Sequence, residues 1–239
     1  VAEPQLLVPV GASPHTYSLK PSDARMLQSA DLIVWIGEGL ENYLERPLDS
    51  LGAKNKIVEV SDFDGLIRLK TREGGLFEPH DDREHDNHAD EEHTADKDLG
   101  HDHGEIDMHL WLEPDNARLI ATTIATELGA IDPANAPTYK ANAQKFAARL
   151  ATLDESIKTR LAPVRNRPYI VFHDAYQYFE HHFGTNIAGS ITVSPDQAPG
   201  AKRLSELRER LRTASVVCVF REPQFPAPVV DTLVRGTFV

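Results

Sequence analysis

One cysteine, Cys218, occurs in 239 residues, so no disulfide can close within the chain and pairing says nothing about its redox compartment. No apolar run approaches the ~18 residues that a membrane-spanning helix needs, and no membrane insertion is expected. Basic residues are few, 25 Lys and Arg against 37 Asp and Glu. They form no patch and do not interleave with aromatics, so nucleic acid is not an expected partner. A signal-peptide pattern is missing: the chain opens at Val1 with a strand-like run soon after. That is compatible with a cytosolic protein, a mature exported one or a trimmed chain. Cys218, inside VVCVF, is expected to be a buried strand residue.

What is present in excess is histidine beside carboxylate. Residues 80–103 read HDDREHDNHADEEHTADKDLGHDH, with His80, His85, His88, His93, His101 and His103 among ten carboxylates and two basic residues. This stretch supplies −8 of the formal net charge of −12, so the acidity is local. Imidazoles suit zinc, copper and nickel, and carboxylates add hard oxygen ligands. Metal handling is therefore the first functional expectation. The segment's low hydrophobicity cannot offset the entropy of ordering it, which predicts a mobile loop holding metal weakly.

The rest is ordinary in composition, 41% hydrophobic and 26% charged, and long enough for one large domain or two modest ones. QLLVPV (5–10), LIVWI (32–36) and KIVEV (56–60) read as strands, with helices from Pro21 to about Ala30 and over roughly Leu40–Leu51. Pro114 opens a helix to about Leu128. Thr138–Leu161 is the longest helical segment, with Tyr139, Phe146, Leu150, Leu153, Ile157 and Leu161 at three- and four-residue steps. A second β-α series follows: YIVFH (169–173), a helix over 174–183, NIAGSITV, a helix over 200–213, VVCVF (216–220) and a helix over 226–235. The pattern predicts an α/β fold with parallel-rich sheets. Its expected division is residues 1–132, a linking helix in 133–163, and 164–239.

Three histidines outside the loop share one kind of position, a strand end or the loop after it. His15 follows QLLVPVG, His109 lies in MHLWLEP before a helix start, and His173 closes YIVFH. Ligands of open α/β sheets collect beyond the carboxyl ends of strands, so three imidazoles from separate loops can converge there. Three nitrogens at about 2.0–2.1 Å with one tetrahedral position left over suit zinc. The alternative for each is a strand-end histidine bonded to backbone. His181 and His182 are expected to be structural or solvent-facing, and Trp35 and Trp111 core. Asp174 is expected to orient a neighbouring histidine or to cap a helix. Glu222 is not expected to be a ligand.

In order, GASPHTYSLKPSDARMLQSADLIVWIGEGLE, the acidic histidine-rich insert, MHLWLEP, VFHDAYQYFEHHFG and CVFREPQF closely resemble the zinc-binding solute-binding proteins of bacterial ABC uptake systems, the ZnuA type. The resemblance covers nearly the whole chain. It implies two β-α lobes joined by one rigid helix, with zinc in the cleft between them as transported ligand. The family's three histidine ligands fall on His15, His109 and His173. It also implies periplasmic location, delivery of Zn²⁺ to a membrane permease, a monomeric state and no enzymatic activity. Two departures stand out. Pro14 occupies the place where some members carry a glutamate, and the late aspartate of others is missing, so no residue is assigned to the fourth position. The family's first β-α unit and C-terminal segment are expected to be absent. Rival expectations are a three-histidine zinc hydrolase or hydratase, which would need a general base not evident here, and a zinc buffer or chaperone acting through the loop.

Overall fold

The computed structural model describes residues 3–51, 55–72, 106–192, 195, 198–225, 228–237 and 239. The histidine-rich stretch 80–103, and with it the expected mobile loop, lies outside the described residues.

Two parallel sheets organise the chain, as the alternating pattern predicts. After helix α1 (Pro21–Ser29) come strand β1 (Leu32–Trp35), the short helices α2 (Glu38–Glu41) and α3 (Glu45–Asp49), and strand β2 (Lys56–Glu59). β1 and β2 pair in parallel from Leu32–Lys56 to Trp35–Glu59. Pro21 starts α1, and the Asp23 carboxylate accepts the Lys20 backbone N–H at 2.8 Å, satisfying a donor that the helix itself cannot. The helix expected over 40–51 is instead broken by a 3-10 turn at Asn42–Leu44, with Pro47 in the piece that follows. Leu27, Ile33, Trp35, Leu44 and Leu48 form this unit's core.

Gly37 links β1 to α2 at φ +147. A Cβ there would lie 2.6 Å from Glu59 Oε1 and 2.7 Å from both Met108 Cε and Ser61 Oγ, so these side-chain tips would have to shift, and the φ itself favours glycine.

Helices α4 (Pro114–Ile131) and α5 (Ala136–Leu161) pack along each other. At 1.5 Å per residue, α5 is about 39 Å long. Its expected apolar stripe exists but is only partly covered: Tyr139, Leu150, Ile157 and Leu161 are half-buried, and Phe146 and Leu153 are exposed.

The second sheet has order β4-β3-β5, all parallel, built from β3 (Pro168–His173), β4 (Asn186–Thr192) and β5 (Cys218–Val219). Helices α6 (Gln177–Phe183), α7 (Ala201–Thr213) and α8 (Pro228–Val234) complete the series. Gly184, left-handed at φ +62, stops α6 where sequence places the stop. Ile170, Ile191, Leu207 and Leu233, all 0% exposed, anchor this core. Tyr178 of α6 is also fully buried, but it packs with Val60, Leu66 and Leu110 from the first half of the chain.

Four expectations fail. Residues 5–10 form no strand: Leu6 and Val10 are exposed, and Pro9 cannot donate to a ladder. His109 follows no regular strand; it sits just before a 3-10 turn at Leu110–Leu112. Trp111 is exposed, whereas Trp35 is buried as expected. Cys218 is only half-buried.

Candidate metal centre

His15, His109 and His173 come together from three separate segments. His15 lies in the turn-rich approach to α1, where its backbone N–H bonds Ser13 Oγ at 3.3 Å. His109 stands between Asp107 and the 3-10 turn, and His173 is the last residue of β3. His15 is half-buried and the other two are buried.

Their ring centroids are 5.3, 5.4 and 5.4 Å apart, a nearly equilateral triangle. For three imidazoles on one tetrahedral zinc, with nitrogens at about 2.05 Å, the centroids would be about 5.2 Å apart and the nitrogens about 3.3 Å. The His15 and His109 Nε2 atoms are 3.2 Å apart, and the three ligand nitrogens lie within 4.8 Å of one another. Small rotations would therefore bring all three onto one ion.

The far side of two rings is tethered. His109 Nδ1 is 2.7 Å from Asp107 Oδ1, which also accepts the His109 backbone N–H at 3.0 Å. His173 Nδ1 is 2.7 Å from Glu222 Oε1. Each carboxylate favours the tautomer with hydrogen on Nδ1 and leaves Nε2 facing the shared centre. Phe225 meets the His173 ring edge-on at 5.7 Å and stacks on Phe172, while Trp111 lies 5.5 Å from the His109 ring. Tyr176 is pushed above its ordinary value by burial and by the nearby Glu222 charge, so it stays a neutral hydroxyl at physiological pH.

The orienting carboxylates are what sequence reasoning missed. Asp107 was legible from its D-x-H spacing to His109. Glu222 has no such signal, since its contact with His173 spans 49 positions. Asp174 neither orients a histidine nor caps a helix. It takes Arg72 through two hydrogen bonds, and Glu180 Oε2 takes the same guanidinium at 2.6 Å. His181 and His182 stand apart from the triad, as expected. His182 Nδ1 lies 2.6 Å from Glu113 and its Nε2 2.8 Å from Asp154, with His181 3.3 Å from Glu113. The six histidines at 80, 85, 88, 93, 101 and 103 fall outside the described residues.

No helix among the described residues is long and apolar enough to cross a membrane.

Comparison with known proteins fits this geometry. The family model for ZnuA, the periplasmic component A of a zinc-uptake complex, matches residues 1–238. The ZnuA high-affinity zinc uptake system protein of Brucella abortus is 45% identical, over 99% of this chain and 75% of its own length. That of Yersinia pestis is 40% identical, over 98% and 73%. A ZnuA crystal structure superposes with TM-score 0.74 at 26% identity, covering 97% of this chain and 77% of that one. A ZnuA deletion mutant with zinc bound gives 0.73 at 27%, covering 96% and 76%. The chain thus spans about three quarters of the length of these relatives. With parallel sheets, a match across nearly every residue and two relatives above 30% identity, the chain belongs to the ZnuA family of zinc-uptake solute-binding proteins.

Proposed function

We propose that this protein captures Zn²⁺ outside the cytoplasm, in the periplasm, and delivers it to the permease of an ABC importer, with His15, His109 and His173 as its ligands. The observation that carries the reading is the imidazole triangle, two of whose rings are fixed by a carboxylate on Nδ1. Neutral nitrogen donors favour zinc over manganese, which prefers carboxylate oxygen. Binding and release are reversible coordination with no covalent step. The three ligands belong to a unit at 1–132 and a unit at 164–239, joined through the linking helix at 133–163. The protein acts as a monomer, and the 80–103 segment serves as an accessory collector of weaker affinity.

Hydrolysis is the less supported use of such a triad. It needs a carboxylate or other base free to take a proton from metal-bound water. The nearby carboxylates Asp107 and Glu222 each already hold a ligand histidine.

The test is a zinc titration of His109→Ala and His173→Ala against a chromophoric chelator, with circular dichroism to show that each variant is folded. Both should lose the tight equivalent. A folded variant that keeps parental affinity would overturn the ligand assignment.

A further inference from the structure

Helix α6 belongs in sequence to the second sheet, yet its side chains reach back to the segments beside His109, one of the two first-half ligands. Tyr178 is wholly buried among Val60, Leu66 and Leu110. Its hydroxyl donates to the Asp107 carbonyl at 2.8 Å and accepts the Leu69 backbone N–H at 3.0 Å. Asp107 is the residue whose carboxylate holds the His109 ring. Burial pushes the Tyr178 phenol up to about 12, so the donor persists across physiological pH.

Arg72, also from the first half, closes the other side. Its guanidinium forks onto Asp174, the residue after His173, and also bonds Glu180 of α6. The Arg72, Asp174 and Glu180 side chains are only 15, 5 and 4% exposed, so this is a desolvated ion cluster and not a surface pair. Glu180 is fixed further by the Ile187 N–H on its second oxygen, at 2.7 Å. Asp107 and Leu69 are themselves joined, Asp107 N–H to Leu69 C=O at 2.9 Å.

We propose that Tyr178 and Arg72 are positioning residues of the zinc site, registering the His109 loop against the His173 strand end so that this ligand pair is set before metal arrives. Neither touches the metal. A site whose ligands are held in place loses less freedom on binding and gains affinity by that amount. The inference rests on the triad being the zinc site.

The experiment uses the full chain. Tyr178→Phe keeps the ring and its packing but removes both hydroxyl bonds. Arg72→Lys keeps the charge but not the fork, and Arg72→Met removes both. Zinc affinity is read by chelator competition well below each variant's unfolding temperature, and ligand geometry by the d–d absorption of the cobalt form. Leu207→Ala, in the core behind the second sheet, is the control for destabilisation remote from the site. Tyr178→Phe should bind zinc about tenfold more weakly, by analogy with losses seen for outer-shell partners of metal ligands, and shift the cobalt bands. Arg72→Met should weaken binding more than Arg72→Lys, and Leu207→Ala should leave affinity unchanged.

Parental zinc affinity and cobalt spectrum in Tyr178→Phe would overturn the proposal, and that variant decides it even if the Arg72 variants fail to fold. An equal affinity loss in Leu207→Ala would also overturn it, because the effect would then be general destabilisation. If His109→Ala keeps the tight equivalent, the ligand assignment fails instead, which separates the two failures.

Discussion

Replacing Asp107 by alanine isolates what orientation contributes to zinc binding, because the carboxylate never meets the metal. One oxygen, Oδ1, takes both the backbone and the ring N–H of His109, at 3.0 and 2.7 Å. His109 is 8% exposed, so water cannot readily replace the lost acceptor. The ring would then be free to turn, and to place its hydrogen on the nitrogen the metal needs. A hydrogen bond to a charged group contributes about 1.5–3 kcal/mol. Loss of such an outer partner costs metal sites about 10–100-fold, or about 1.4–2.7 kcal/mol. The two ranges overlap, so Asp107→Ala should raise the zinc Kd by about 10–100-fold, while Asp107→Asn, which keeps an oxygen acceptor, should lose less. Chelator competition on the folded variants measures both. An alanine variant within about twofold of the parent would refute the claim that Asp107 sets the His109 ring.

Gly37→Ala should lower stability by about 2–4 kcal/mol in urea titration, since it combines a strained φ with close contacts on Glu59, Met108 and Ser61; an unchanged midpoint would contradict the close approach. Asp23 is held below the usual carboxylate range, chiefly by the Lys20 N–H and then by the Tyr17 hydroxyl. Its contribution is therefore present above the unfolded-chain value of about 3.9 and is lost as pH falls through the lower folded value. Asp23→Asn should make acid unfolding less steep below about pH 4, and an identical acid profile would count against it. Deleting residues 80–103 should leave one tight zinc equivalent and remove only weaker ones in calorimetry; loss of the tightest equivalent would reverse that ranking.

The fold was legible where a local pattern carried the information. LIVWI, KIVEV, YIVFH and NIAGSITV are short apolar runs bounded by turns or helices, and they became β1 to β4. QLLVPV has the same appearance but no ladder, because a run of apolar residues does not specify a partner edge and Pro9 removes a donor. The α5 periodicity located the helix correctly, yet periodicity says only which side is apolar, not what covers it. Loop placement predicts the convergence of the triad, although His109 is positioned by a 3-10 turn and not by a strand end. The contacts of Glu222, Arg72 and Tyr178 are not legible because they reach residues 49 to 109 positions away, and composition does not encode such pairings.

If zinc is held as proposed by residues 15, 109 and 173, its centre exists only in a chain that has finished folding. Its non-local contacts are slow to form, and an opened molecule has no comparable grip on the ion. Zinc therefore acts as a folding ligand as well as cargo: at a thousand times its Kd it would stabilise the native state by about 4 kcal/mol. Metal supply then sets lifetime, since proteases cleave the opened form and zinc suppresses its population. Under zinc starvation the pool of this protein would be at its most vulnerable when its work is most needed, so its abundance should follow the metal through turnover.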